Sequence, residues 1–220
     1  GSDIMLPIYQ HYEDGDKKEV VPTNYTTVGC FRTENNRLGL NHEMALLPGD
    51  YYESNKYINT SSYVSFGDSL LVHYPYSDSV DLFIDGEHED RIEMKSSRST
   101  GMKGLSGLSL DIMAVKEHMM MHPRYAETVY DPYRNLFYRS FLVESKNELG
   151  KIVPHEKWML MVYDCRFNLV NEFELDAMKY SSSGMFVFPE GLVLRHFNNF
   201  DPENPAKAEF ELITWQRTYI

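Results

Sequence analysis

Two stretches of this chain repeat one pattern: an apolar run closed by Asp, a short polar turn, then a run that alternates. VDLFID–GEHED–RIEM spans 80–94, and MLMVYD–CRFN–LVNEFEL spans 159–175. Val80, Leu82 and Ile84 fall on one side of their run, the period-two signature of a strand. The turn-rich insert between two such runs makes each unit an antiparallel hairpin. A third unit closes the chain, with GLVLRHF (191–197), the loop NNFDPENPAK, and AEFELITWQ (208–216). Upstream of the first hairpin, DSLLVH and VDLFID flank the turn residues PYSD, extending the antiparallel pattern over 68–94. The first strands of the three units begin near 69, 136 and 191, a spacing of roughly 55–67 residues.

Such a hairpin cannot cover its own apolar faces, so neighbouring units must stack on it. The pattern therefore predicts an all-β, β-propeller-like chain of about four irregular antiparallel blades, with one short inserted helix. A β-sandwich competes, but its strands and turns recur at a more even spacing of about 8–12 residues. The long loops fit irregular blades better. Sixteen Tyr, 12 Phe and 2 Trp support a β-rich chain, since aromatic side chains suit pleated, half-buried surfaces. Residues 3–220 read as a single β-propeller-like domain. Gly1 and Ser2 read as a protease scar at the start of a recombinant chain.

Charge narrows the partners. Lys plus Arg number 21 against 33 Asp plus Glu, a net charge of −12. That balance argues against nucleic acid, which needs a basic footprint, and against an anionic membrane surface. No apolar run is long enough for a transmembrane segment. Cys30 and Cys165 are too few for a disulfide framework; the sequence leaves a bridge or two separate thiols open.

SLDIMAVKEHMMM (109–121) predicts the helix, capped by Ser109 with Asp111 in its first turn and Pro123 just beyond. Ile112, Val115 and Met119 are expected to pack against strand faces. Residues 95–125 read as an insertion between blades. Residues 3–60, broken by Pro7, Gly15 and Pro22, are assigned to one more irregular blade.

The segments DSLLVHYPYSDSVDLFID (68–85), TVYDPYRNLFYRSF (128–141), KWMLMVYDCRFNLVNEFEL (157–175) and MFVFPEGLVLRHFN (185–198) resemble the six-bladed β-propeller-like proteins of unknown function from Bacteroides and relatives. The YDPYRNLFYR stretch is the most specific of these pieces. The resemblance implies an exported lipoprotein at the periplasm or cell surface, with its lipid anchor outside these 220 residues. It supplies no catalytic residues. At roughly 55 residues per blade the chain makes about four blades, so it is expected to be part of a six-bladed ring. If the ring does not close, the open faces predict self-association through Phe210 and Leu212 or the strand near Ile4–Tyr9. If it does, segment 4–9 should lie beside 208–216.

No linear motif carries a reaction. There is no GxSxG elbow, so catalytic residues are unknown; SSRS (96–99) and SSS (181–183) read as polar turns. His118 and His122 share a helix face near Asp111, a geometry that zinc could use, but no HExxH is present. Histidines favour the last helical turn for their interaction with the helix dipole, and no metal is assigned. GMKGLSGLS (101–109) departs from known phosphate loops and reads as an insertion loop. Glu87, Glu89 and Asp90 read as a solvated turn without a calcium-loop pattern. Asp68-Ser69-Leu70 and Asp78-Ser79-Val80 match the O-glycosylation pattern used in Bacteroides, which the resemblance makes relevant. No cofactor is implied. Aromatic faces can stack on sugars or peptides, so Tyr51, Tyr52, Tyr130 and Tyr133 are the ligand-binding candidates. The expected function is a non-catalytic binding or scaffold module with a protein or glycan partner. The alternative is an enzyme of hydrolase or lyase type, its site assembled from several blades at the propeller axis.

Overall fold

The computed structural model describes residues 3–7, 26–34, 37–46, 62–102, 112–197 and 209–214. Strands dominate. The first sheet is a meander of β1 (Asp3–Pro7), β2 (Thr26–Glu34) and β3 (Arg37–Leu46). The second runs β4 (Ser62–Phe66), β5 (Ser69–His73), β6 (Ser79–Ile84) and β7 (Glu87–Glu93), paired in chain order. Helix α1 (Ile112–Met121) follows. The third sheet pairs β8 (Arg124–Asp131), β9 (Leu136–Leu142), β12 (Lys157–Asp164) and β13 (Leu169–Asp176). A ribbon of β10 (Ser145–Lys146) and β11 (Ile152–Val153) bridges its middle connection. The fourth is β14 (Tyr180–Phe188), β15 (Gly191–His196) and β16 (Phe210–Ile213).

All described pairings are antiparallel, and each main sheet is drawn from one continuous stretch of chain. Among the described residues this is the predicted architecture: four irregular meanders and one short helix. β8 lies beside both β4 and β14, so the first strands of sheets two, three and four run side by side. Their last strands lie outside; β7 and β13 are largely exposed.

The middle strands are buried on both faces, which explains their apolar runs. On β12, Met159, Met161 and Tyr163 point toward sheet two, packing with Leu71, Val80, Phe137 and Phe141. The alternate residues Trp158, Leu160 and Val162 meet Met185, Leu192 and Leu194 of sheet four. Trp158 is fully buried, and its indole N–H donates to the Tyr180 carbonyl at 3.0 Å. Between sheets one and two, Val28 packs with Leu70, Val72 and Phe83, joined by Val115 and Met119 of α1. Those two helix contacts are as expected; Ile112's side chain, like Ser109 and Asp111, lies outside the described residues.

Both hairpins that define the repeat pair as expected: Trp158 faces Leu175, and Val80 faces Ile92. The first turn is shorter than the sequence reading. Asp85 and Gly86 alone make it, with φ of 50° and 86°. An Asp-Gly pair with both φ positive is the favoured two-residue hairpin turn. Glu87, Glu89 and Asp90 therefore belong to strand β7, not to a polar turn, and their charge blunts an exposed edge. Similarly, Ser181–Ser183 lie inside β14, where the register breaks between Tyr180 and Met185. Cys30 is buried, Cys165 is exposed, and both are free thiols. β1 pairs with β2 and β16 with β15; no described pairing joins the first sheet to the last.

Candidate functional site

The seams between sheets are sealed differently. Between sheets two and three, at the end near α1, Arg139 fills the space. It is fully buried on β9, where the alternation points it at sheet two. Its guanidinium donates to the carbonyls of Met94 at 2.6 Å, Ser77 at 3.0 Å and Asp78 at 3.3 Å. It also lies 3.6 Å from the centre of the Tyr125 ring. The Tyr125 hydroxyl donates to Asp78 at 2.6 Å and accepts from the Ser96 amide at 3.1 Å. Burial pushes the Tyr125 and Tyr163 hydroxyls above the ordinary tyrosine range. This end of the seam is filled by side chains, and of the Arg139 guanidinium both Nη atoms are matched while Nε is not.

At the same end, the seam between sheets three and four opens into a cavity of about 580 Å³. Leu142 of β9 and Tyr180 of β14 line its interior; Lys116, Met119 and Met120 of α1 form one wall. Ser181–Ser183 and Arg195 form another, and Met178 and Phe197 complete the mouth. The serine wall bulges out of β14 because inter-sheet bonds hold it. Ser140 donates to the Ser182 carbonyl at 2.7 Å, and the Glu127 carboxylate accepts from the amides of Gly184 and Met185 at 2.7 and 2.9 Å. Burial nevertheless holds the Glu127 carboxyl above its usual range, outweighing those two amides and Arg195.

His155 braces the helix wall, with Nδ1 2.7 Å from the Val143 carbonyl and Nε2 3.3 Å from that of Met119. Burial lowers its pKa. Arg124 is committed in the same way, its Nε donating to the Met119 carbonyl at 3.0 Å. The Arg124 guanidinium and the His155 backbone amide, which donates to the Met120 carbonyl at 3.3 Å, satisfy carbonyls near the helix C-terminus, a common need there.

The opposite end of this seam is clipped shut by the DPYR turn. The buried Asp131 carboxylate accepts from the amides of Tyr133 and Arg134 and pairs with the Arg134 guanidinium at 2.9 Å. Arg134 in turn donates to the carbonyls of Phe188 and Pro189 in sheet four. Tyr130 and Tyr133 sit at this end, away from the cavity. The Tyr130 ring packs 5.4 Å from Phe66 and 5.0 Å from Phe137, and its hydroxyl donates to Asn135. Tyr133 keeps its ring exposed. Tyr51 and Tyr52 lie outside the described residues.

Among the described residues, a contact between Ser62 and His73 Nε2 is the arrangement nearest to a nucleophile and base. His73 is buried, and its Nδ1 has no partner to orient it. Burial, with the Arg139 charge, lowers its pKa to about 3, too weak for a base at neutral pH. His118 and His122 stack at 4.3 Å, and no group of three or more metal-binding side chains occurs among the described residues. The Asp78 carboxylate in one glycosylation-like triplet bonds Tyr125, and its residue shapes the Arg139 site. No described helix is long and apolar enough to cross a membrane.

The sequence reading missed Arg134, Arg139 and the cavity residues. The arginines stand inside YDPYRNLFYR, where an Arg among apolar strand residues was the available signal. The cavity draws single residues from separated segments, which no local pattern marks.

The molecule thus belongs to the class of nearly all-β proteins built from stacked antiparallel meanders, an arrangement compatible with a propeller. Among solved structures it is similar to the crystal structure of a member of the DUF4221 family from Bacteroides vulgatus, with a TM-score of 0.61 and 18% identity. The match covers 97% of this chain and 61% of that one, so the chain spans less than two thirds of that structure. The likeness is one of fold. No protein-family model and no curated protein matches the chain.

Proposed function

We propose that the chain is a non-catalytic binding module of an exported protein, acting at the periplasm or cell surface, with its ligand in the cavity between sheets three and four. One observation carries this reading: the seam between sheets two and three is filled by a buried arginine, whereas the next seam is held open by bulged strands. Cavities of this size, mostly apolar with a few placed polar groups, suit small ligands. Tyr133 adds an exposed ring at the far end that a sugar or peptide could stack on.

The test uses methyl-labelled methionine and a panel of glycans, peptides and small metabolites. A ligand should move the signals of Met119, Met120 and Met178 while leaving buried Met159 and Met161 in place. Turnover of any panel member would overturn the non-catalytic reading, and shifts confined to the Tyr133 end would move the site. Fractionation of cells carrying the tagged protein checks the compartment.

A second reading concerns self-association, favoured by the outer face of sheet four. Phe186, Phe188, Phe210 and Leu212 share that face and are each about half exposed, with the Phe186 and Phe210 rings 5.9 Å apart. The opposite face of the same sheet packs on sheet three. A second copy would repeat that stacking. Light scattering at tens of micromolar should then exceed the 25.7 kDa of one chain and return to it in Phe210→Ser/Leu212→Ser. A monomer mass at every concentration removes this reading.

A further inference from the structure

The cavity mouth is charged against the grain of the chain. Thirty-three acidic residues outnumber 21 basic ones overall, yet Lys116, Arg124 and Arg195 line the cavity and no carboxylate does. Arg124 is occupied with the helix carbonyl described above. Lys116 and Arg195 are exposed and come from different elements, α1 and β15. Neither forms an ion pair among the described residues. Arg195 donates only to the Ser181 hydroxyl, at 3.3 Å, among those residues. The nearby carboxylate of Glu127 accepts from two backbone amides and feels the Arg195 charge, but it makes no hydrogen bond to Arg195 and does not line the cavity. Two cations with spare donors thus line one cavity with Met119, Met120 and Met178: Arg195 beside the serine bulge, and Lys116 on the helix that carries the first two methionines.

That pairing of surfaces has a chemical counterpart. Methionine walls adapt to unbranched or irregular apolar bodies, because the side chain is flexible and polarisable. Cations at a partly desolvated mouth select a charged head, and a hydrogen bond to an ionised group is about twice as strong as a neutral one. We infer that the cavity takes an amphiphilic anion: an apolar body against the methionines, and a carboxylate head between Lys116 and Arg195. The inference rests on reading the cavity as the binding site and goes further by fixing the ligand's chemical class.

Octanoate and 1-octanol separate charge from chain. In the methionine-methyl experiment both should shift Met119, Met120 and Met178, with octanoate binding about tenfold more tightly at low salt. Raising the salt should weaken octanoate and leave octanol unchanged. In Lys116→Gln/Arg195→Gln the tenfold preference should vanish while octanol still binds, which also shows that the variant is folded. Equal binding of the two probes to the natural sequence overturns the anion assignment but leaves the cavity as a binding site. An octanoate preference that survives the double substitution overturns the assignment to these two side chains. If neither probe moves the three methyls, the amphiphile inference fails. The broader reading then stands or falls on the ligand panel, which reports on the same signals.

Discussion

The two seams that flank sheet three use the same materials to opposite ends. Strand β12 supplies apolar side chains to both, and β9 supplies a residue to the α1 end of each. On the side of sheet two that residue is Arg139, whose fork reaches three carbonyls of the neighbouring sheet. On the side of sheet four it is Leu142, which is too short to reach anything comparable, and the space above it stays open. An unpaired buried carbonyl costs about 1–3 kcal/mol, so a seam that buries turn carbonyls must be plugged by a donor. The other seam keeps its exposed backbone satisfied through Ser140 and Glu127 at the bulge and can leave a cavity. Closure, then, follows from where the donors come from: one long arginine spans the first seam, whereas at the cavity Arg124 and Ser140 satisfy the Met119 and Ser182 carbonyls from its rim and leave the space between open.

Breaking the plug is the strongest test of this contrast. Arg139→Ala should destabilise the protein by about 3–5 kcal/mol, because it strands buried polar groups and removes a side chain stacked on Tyr125. Arg139→Lys should recover part of that loss, since an ammonium donates but lacks the planar fork. Urea denaturation measures both. A loss under 1 kcal/mol for the alanine variant would mean that the seam is not held by its arginine.

Acid should separate the seams next. His73 holds a pKa of about 3 in the folded chain, against an ordinary 6.5. Below pH 6.5 the unfolded chain takes up a proton that the folded chain refuses. Stability therefore falls as pH drops from about 6.5 toward 3, at up to about 1.4 kcal/mol per unit. His73→Asn should flatten that part of the profile. Glu127 works in the opposite sense. Its folded pKa is raised, so the folded state accepts a proton before the unfolded one does, and acid favours folding through this group. Glu127→Gln should remove that gain and cost under about 1 kcal/mol at neutral pH, since the amide oxygen still accepts from Gly184 and Met185. A variant as acid-sensitive as the natural chain in the first case, or one that is severely unstable in the second, would break the comparison.

The smallest effect sharpens it. Arg195 is exposed at the cavity mouth, so Arg195→Gln should change stability by no more than about 0.5 kcal/mol. A much larger loss, in the range expected for Arg139, would make Arg195 part of the seam rather than of an open site.

How legible this was in the sequence depends on position within each sheet. Middle strands such as MLMVYD announce themselves because both faces are buried. The hairpins around CRFN and Asp85-Gly86 follow from alternation, although the Asp-Gly signal was given too long a turn. The first strands β4, β8 and β14 were hidden. SYVSF is short and half polar, RYAETVYD and YSSSGMFVF carry small or polar residues at register breaks, and serines in a bulge look like serines in a turn. The same bulge makes the cavity, so the feature that hid the strand hid the site. Arg139 was hidden for another reason: its partners are carbonyls 45 to 62 residues away, and carbonyls carry no sequence signature.

Each main sheet is drawn from its own continuous stretch of chain, and that has a consequence for how the molecule is made. Pairing partners within a sheet are close in sequence, so little loop-closure entropy opposes their formation. A sheet can therefore assemble on the ribosome once its own strands have emerged, before the next is synthesised. What must wait are the seams: Arg139 has nothing to plug until sheets two and three both exist, and the DPYR clip has no carbonyls to grip until β14 and β15 arrive. Growth of the molecule is thus a succession of dockings. The face left bare at each stage, like the Phe186–Phe210 face of sheet four, is the surface that a nascent chain most needs to shield from its neighbours.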